Sequence, residues 1–173
     1  KHPELFASIL TKPVKQQQLN RSIQSELGQQ KDNEIPEVKA PALLSQEFAE
    51  EFPLRILIAE DNPINQKLIQ RILNKLGYKP EIVPNGIKAL ERISLDVFDV
   101  ILMDIQMPEM DGLETTENIR KIPEPWPQPY IIAMTANAMP EDKEMCLKAG
   151  MDDYIAKPLK LEELLRILQK TAL

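Results

Sequence analysis

Residues 54–77 read LRILIAEDNPINQKLIQRILNKLG, and the fold turns on how this stretch divides. Its first part, Leu54 to Glu60, is an almost continuous apolar run ending in acid. A run without polar alternation predicts a strand buried on both faces, as in a parallel sheet covered by helices. The second part, 63–77, predicts a helix: Pro63 suits the first turn, Gly77 stands just past the end, and Ile64, Leu68, Ile72 and Leu76 share one stripe.

The alternation continues to residue 173. KPEIV (79–83), DVILMD (99–104), YIIAMT (130–135) and DYIA (153–156) read as strands, followed by helical segments at 86–93, 112 to about 121, 140–150 and 161–172. Five strand-helix units in succession predict an α/β domain with a parallel sheet, helices on both faces and right-handed crossovers. The loop PEPWPQP (123–129) is longer than its connection needs. Its Trp126 either covers the edge of the core or anchors a partner.

Residues 28–53 read as linker: 28–42 lack a sustained period and are rich in Gln, Lys, Glu and Pro, and a short amphipathic stretch, 43–52, precedes Pro53. A net charge of -6 without long runs of one sign argues against a nucleic-acid partner. A single cysteine, Cys146, excludes an internal disulfide and falls in a helix, as inert core would. No apolar run is long enough for a membrane span, so a cytoplasmic location is expected, in a parent that is either soluble or membrane-anchored elsewhere.

In an open parallel sheet, ligands bind beyond the carboxyl ends of the strands, near the reversal of strand order. There the sequence places Glu60-Asp61, Asp104, Thr135 and Lys157-Pro158. Three acids held together repel, so without a counter-ion at least one should have a raised pKa. Oxygen donors without histidine suit a hard cation, Mg²⁺ first, with Mn²⁺ as a substitute. A carboxylate beside such a cation and a lysine is equipped to attack a phosphoryl group. Singly, each residue has a plainer reading: Asp61 and Asp104 as caps, Thr135 as a strand residue, Lys157 as a solvated surface lysine, Tyr154 as a half-buried strand residue. Asp111-Gly112 reads as a turn and helix start, not a second metal site.

ILIAEDNPINQ, VILMDIQMPEMDG, IIAMTANAM and AGMDDYIAKPL together resemble the motifs of the receiver domain of two-component response regulators, in the style of hybrid sensor histidine kinases. The resemblance spans residues 54–173. It implies a flavodoxin-like, doubly wound five-stranded sheet of order 2-1-3-4-5, here with an N-terminal helical appendage. It also implies Asp104 as phosphoacceptor; Asp61, Glu60 acting through water, and the Gln106 backbone carbonyl as Mg²⁺ ligands beside it; and Thr135 and Lys157 as partners of the phosphoryl oxygens. Tyr154 falls at the aromatic switch position, Gln106 and Asn137 where the phosphate lifetime is tuned, and Lys157-Pro158 at a bond that is cis in the family.

The implied partners are a histidine kinase core, in the same parent polypeptide, and a histidine phosphotransfer protein. The chain itself offers no kinase: its one histidine, His2, has no such setting, and Gly-rich phosphate loops are missing. An Asp-dependent phosphohydrolase would want a second Asp two residues after the nucleophile, where Gln106 stands. A docking module that is never phosphorylated would lack the site residues, which are all present. Finally, TKPVKQQQL (11–19) matches AKPLKLEEL (156–164) at Lys12, Pro13, Lys15 and Leu19, and the match continues at Arg21 and Gln24. Residues 1–27 therefore read as the last strand and helix of a preceding receiver-like module.

Overall fold

The computed structural model describes residues 47–123, 126–136 and 139–172. The readings made for 1–27 and 28–42, the N-terminal appendage included, lie outside them. The described elements are α1 (Glu47–Glu51), β1 (Ile56–Ala59), α2 (Pro63–Lys75), β2 (Glu81–Val83), α3 (Gly86–Ile93), β3 (Val100–Asp104), α4 (Gly112–Arg120), β4 (Tyr130–Thr135), α5 (Pro140–Lys148), β5 (Asp153–Ala156) and α6 (Leu161–Ala172). The strands form one sheet in the order β2-β1-β3-β4-β5. Every pairing is parallel.

The apolar strands are explained by what covers them. Ile56, Ile58, Val100, Leu102, Ile132 and Met134 point to one face, where Ile69 and Leu73 of α2 and Leu164, Leu165, Ile167 and Leu168 of α6 pack. Leu57, Ala59, Ile101, Met103, Ile131 and Ala133 point to the other, under Ala89 and Ile93 of α3, Ile119 of α4 and Cys146 of α5. With both faces buried, neither parity of residue in the strand can be polar.

The helix starts and stops follow local chemistry. Asn62 caps α2 by accepting the Ile64 N–H at 2.9 Å, with Pro63 filling the first helical position. Gly77, at φ 93°, takes the left-handed turn that ends the segment. Asn85 and Asp111 cap α3 and α4 in the same manner.

Two expectations change. The stripe Ile64–Leu68–Ile72–Leu76 does not face the core as a unit: Ile64 is 76% exposed and Leu68 46%, while Ile69, Leu73 and Leu76 are buried. A four-residue step advances about 40° beyond a full turn, so three such steps swing roughly 120° around the helix. The row 69-73-76 mixes steps of four and three and stays on the sheet. Ile64 and Leu68 are left on the outside.

The second change concerns residues 47–53, which extend the packed domain ahead of residue 54. Phe48 and Ala49 pack on the α2–α6 side of the core. The Ala49 N–H donates to the Leu76 carbonyl at 3.0 Å, and the Tyr78 hydroxyl donates to the Phe52 carbonyl at 2.7 Å. The Phe48 ring meets those of Phe52 and Tyr78 at centroid separations of 5.1 and 6.2 Å. Burial pushes the Tyr78 phenol up to about 12.

Candidate functional site

β1 and β3 lie side by side at the centre of the sheet, in the register Ala59↔Met103. Their carboxyl ends therefore deliver Glu60 and Asp104 to the same point. Glu60 is 0% exposed and Asp104 only 6%. Asp61, one residue on, is exposed at the mouth. One carboxylate oxygen from each of the three falls within 4.8 Å of the others. β4 and β5 bring Thr135 and Lys157 to the same cleft, and its lining also includes Asn62, Asn65, Gln106, Asp142 and Met145.

Lys157 is the only cation among the lining residues. Its Nζ lies 2.7 Å from Glu60 Oε2 and 2.7 Å from Asp104 Oδ2. One ammonium thus serves two buried carboxylates while Asp61 adds a third negative charge. Burial draws the lysine toward its neutral form, but the hydrogen-bonded acids outweigh it and hold the Lys157 pKa above its ordinary value. For Asp104 the balance falls the other way. Burial raises its carboxyl, Lys157 pulls it down, Glu60 pushes it up again, and the net direction is upward because burial outweighs the help of an ammonium shared with Glu60.

This donor set fits a hard divalent cation. It consists of oxygen ligands, carries more negative than positive charge, and is open on the Asp61 side, where a cation could keep several of its waters. The backbone N–H of Gln106 donates to Asp104 Oδ1 at 3.3 Å, so the residue after next lies over the acid while its own side chain is exposed. The Lys157-Pro158 bond is cis, and the Lys157 N–H donates to the Thr135 carbonyl at 2.7 Å. Thr135 is buried at the end of β4.

Tyr154 is half-buried on β5, packed beside the core that α5 covers. Lys143 of α5 places its ammonium 4.9 Å from the centre of the ring, a favourable approach to the negative π face. Asn137 lies outside the described residues. Trp126 is half-buried in its loop, its N–H directed at the Pro123 carbonyl. Cys146 is buried, and burial first, with Asp142 adding to it, pushes its thiol up. Asn65 and Gln66 went unnoticed in the sequence. They donate to Glu60 Oε1 and to the Glu60 carbonyl at 2.9 and 2.6 Å. Their only sequence signal is the clustering of amides in the first turn of a helix that follows an acidic strand end.

A five-stranded doubly wound sheet with an acidic, lysine-bridged cleft at its reversal of strand order defines a flavodoxin-like domain. Residues 56–169 match the family model described as the response regulator receiver domain, and the chain belongs to that family. The receiver domain of the sensor histidine kinase PA1611 from Pseudomonas aeruginosa PAO1, solved with a magnesium ion coordinated in its active site cleft, is 46% identical. The match covers 69% of this chain and 97% of that one, with a TM-score of 0.63. A chain of the co-crystal structure of the Saccharomyces cerevisiae histidine phosphotransfer protein Ypd1 with the receiver domain of Ssk1 matches at 28% identity, over 69% and 88% of the two chains, with a TM-score of 0.65. Hybrid signal transduction histidine kinase H of Dictyostelium discoideum is 50% identical over 115 residues, which are 64% of this chain and 8% of that protein. The chain thus corresponds to a small part of such relatives. Among the described residues, no helix is long and apolar enough to cross a membrane.

Proposed function

We propose that the domain is a phosphoacceptor in a two-component phosphorelay, with Asp104 as the nucleophile. The observation that carries this reading is the shared Lys157: one ammonium bridges Glu60 and Asp104 at 2.7 Å each, inside a cleft with a third acid at its mouth. An Asp104 oxygen attacks phosphorus, the bond from phosphorus to the donor's nitrogen or oxygen breaks, and the leaving group takes the electron pair. The product is an aspartyl phosphate. Lys157, already within reach of Asp104 Oδ2, follows the new negative charge onto a phosphoryl oxygen, and the Thr135 hydroxyl takes another. Glu60, Asp61, Asp104 and the Gln106 carbonyl are the groups that would hold Mg²⁺, which when bound supplies positive charge to the phosphoryl oxygens.

Drawing Thr135 toward the phosphoryl group opens space behind it for Tyr154. Turning inward would break the Lys143 contact and change the surface made by β4, α5 and β5. The direct test is incubation of the chain with acetyl phosphate. Incorporation that needs Mg²⁺ and is released by hydroxylamine, the reagent for acyl phosphates, is expected. Labelling that is indifferent to the metal, or stable to hydroxylamine, would contradict the reading.

The phosphoryl donor or acceptor in the relay is read as a histidine on a phosphotransfer protein or a kinase core. Such a partner must bring its imidazole into the cleft, and Ile64 and Leu68 stand exposed on α2, the helix that starts directly after the cleft residues Asp61 and Asn62. Replacing both by Glu is expected to slow transfer to a histidine phosphotransfer protein by tenfold or more, on the order of one lost interfacial hot spot. Labelling by acetyl phosphate should be unaffected. An unchanged transfer rate would exclude this face from docking.

A further inference from the structure

Glu60 is the most enclosed charge in the cleft, and its two oxygens are committed differently. Oε2 faces Lys157 at 2.7 Å. Oε1 receives the Asn65 amide at 2.9 Å and the Asn62 backbone N–H at 3.3 Å. Asn65 stands three residues after the cap of α2, the position from which a Glu or Gln side chain often reaches back to accept the cap residue's N–H. Here the roles are exchanged. Glu60 accepts that N–H, and Asn65 turns its NH₂ group toward Glu60, the only orientation open to it because an ionised carboxylate accepts and does not donate. Gln66 adds a bond from Nε2 to the Glu60 carbonyl at 2.6 Å, so the backbone of the acid is fastened as well.

We propose that Asn65 is a positioning residue: it pins Oε1 of Glu60 so that Oε2 alone exchanges between Lys157 and the cation of the cleft. The inference rests on the reading of this cleft as a cation-assisted phosphoacceptor site. When Lys157 leaves to follow a phosphoryl group, Glu60 loses its ammonium. A buried carboxylate held at Oε1 by the longer Asn62 N–H bond alone would then reorient, and the ligand geometry would be lost at the moment it is needed. The Asn65 amide is neutral, so it holds the acid without competing for the charge that the cation supplies.

The test uses the whole chain, with Asn65→Ala and Asn65→Ser, both well tolerated in the first turn of a helix and both too short to reach Glu60. Calorimetric titration with MgCl₂ should show affinity weakened by about tenfold, the lower end of what loss of a group supporting a metal ligand costs. The thermal midpoint should stay close to that of the parent. In metal-free protein the Glu60 carboxyl carbon and the Asn62 amide resonances should shift while those of β4 and α6 stay in place. Variants that bind Mg²⁺ as the parent does, with those resonances unmoved, would overturn the role of Asn65. A parent chain with no affinity for Mg²⁺ would instead overturn the reading of the cleft, and the exchange at Oε2 with it, even where the resonances still show Asn65 holding Glu60.

Discussion

Asp104→Asn is expected to lose all incorporation of phosphate from acetyl phosphate in Mg²⁺, and at the same time to unfold at a higher temperature than the parent chain. The first effect follows from chemistry: a carboxamide has no anionic oxygen to attack phosphorus, and no neighbour can replace it. Glu60 is fully buried with both oxygens occupied, and Asp61 is exposed at the mouth without a direct bond to Lys157. The second effect follows from the raised pKa of Asp104, whose causes are burial first, then the partial rescue by Lys157 and the repulsion of Glu60. A carboxyl whose folded pKa lies above its unfolded value binds its proton more readily when folded. Its ionisation therefore weighs against the fold above the folded pKa, and this cost fades as pH falls through that value toward the ordinary carboxylate range. The isosteric amide never carries the cost, so the advantage of the variant should be greatest near neutral pH and shrink in acid. Mg²⁺ should narrow the gap from the other side, stabilising the parent in proportion to the logarithm of its concentration and the variant much less. Persistent labelling of the variant would remove Asp104 from its role. A lower thermal midpoint would show that its charge supports the fold.

Much of this was legible in the residues because parallel sheets impose a simple demand. Strands buried on both faces, such as Val100 to Met103, must be apolar throughout, so the first polar residue marks the end of the strand and the place where ligands gather. Glu60, Asp104, Thr135 and Lys157 were found in that way, without knowledge of any distance. Ile64 and Leu68 misled the reading for an equally physical reason. Helical periodicity says which apolar residues can share a stripe, but the face that meets the sheet is chosen by packing, and here the 69-73-76 row wins. The docking of α1 was hidden because a short amphipathic stretch does not show what its apolar side packs against. It depends on a distant partner, Tyr78, whose hydroxyl reaches the Phe52 carbonyl across 26 residues of chain. Asn65 was hidden because an amide on a first turn reads as a solvated polar residue until the buried oxygen it faces is known.

Gly112→Ala is expected to be severely damaging for the addition of a single methyl group, although it touches no charged group. A Cβ at this position would fall on the carbonyl oxygen of Asp104, with the Asp104 carbonyl carbon and the Ile105 Cα each 3.0 Å away. These are backbone atoms, so no rotamer change relieves the contact. Asp104 is also held in place as the last residue of β3, paired to Met134 on β4, while the Gly112 N–H donates to the Ile105 carbonyl at 2.9 Å. The strand end cannot retreat without breaking the middle of the sheet, so α4 must move away. That motion pulls on the N-cap of α4, the Asp111 bond to the Glu114 N–H at 2.8 Å, and on the bond of the Gly86 N–H at the start of α3 to the Met110 carbonyl at 3.3 Å. Overpacking against flexible side chains costs about 1–3 kcal/mol, and a clash with fixed backbone belongs at or above the upper end. A loss of about 3 kcal/mol in urea unfolding is therefore expected, at an unchanged dependence on denaturant. Because the displaced atoms carry the phosphoacceptor, whatever folded protein remains should also be labelled more slowly by acetyl phosphate than an equal amount of folded parent. Glu114→Ala, on the exposed side of the same helix, serves as the control and should lie within about 0.5 kcal/mol of the parent. If Gly112→Ala were as stable as that control, the close approach of α4 to the end of β3 would not be a constraint on this site.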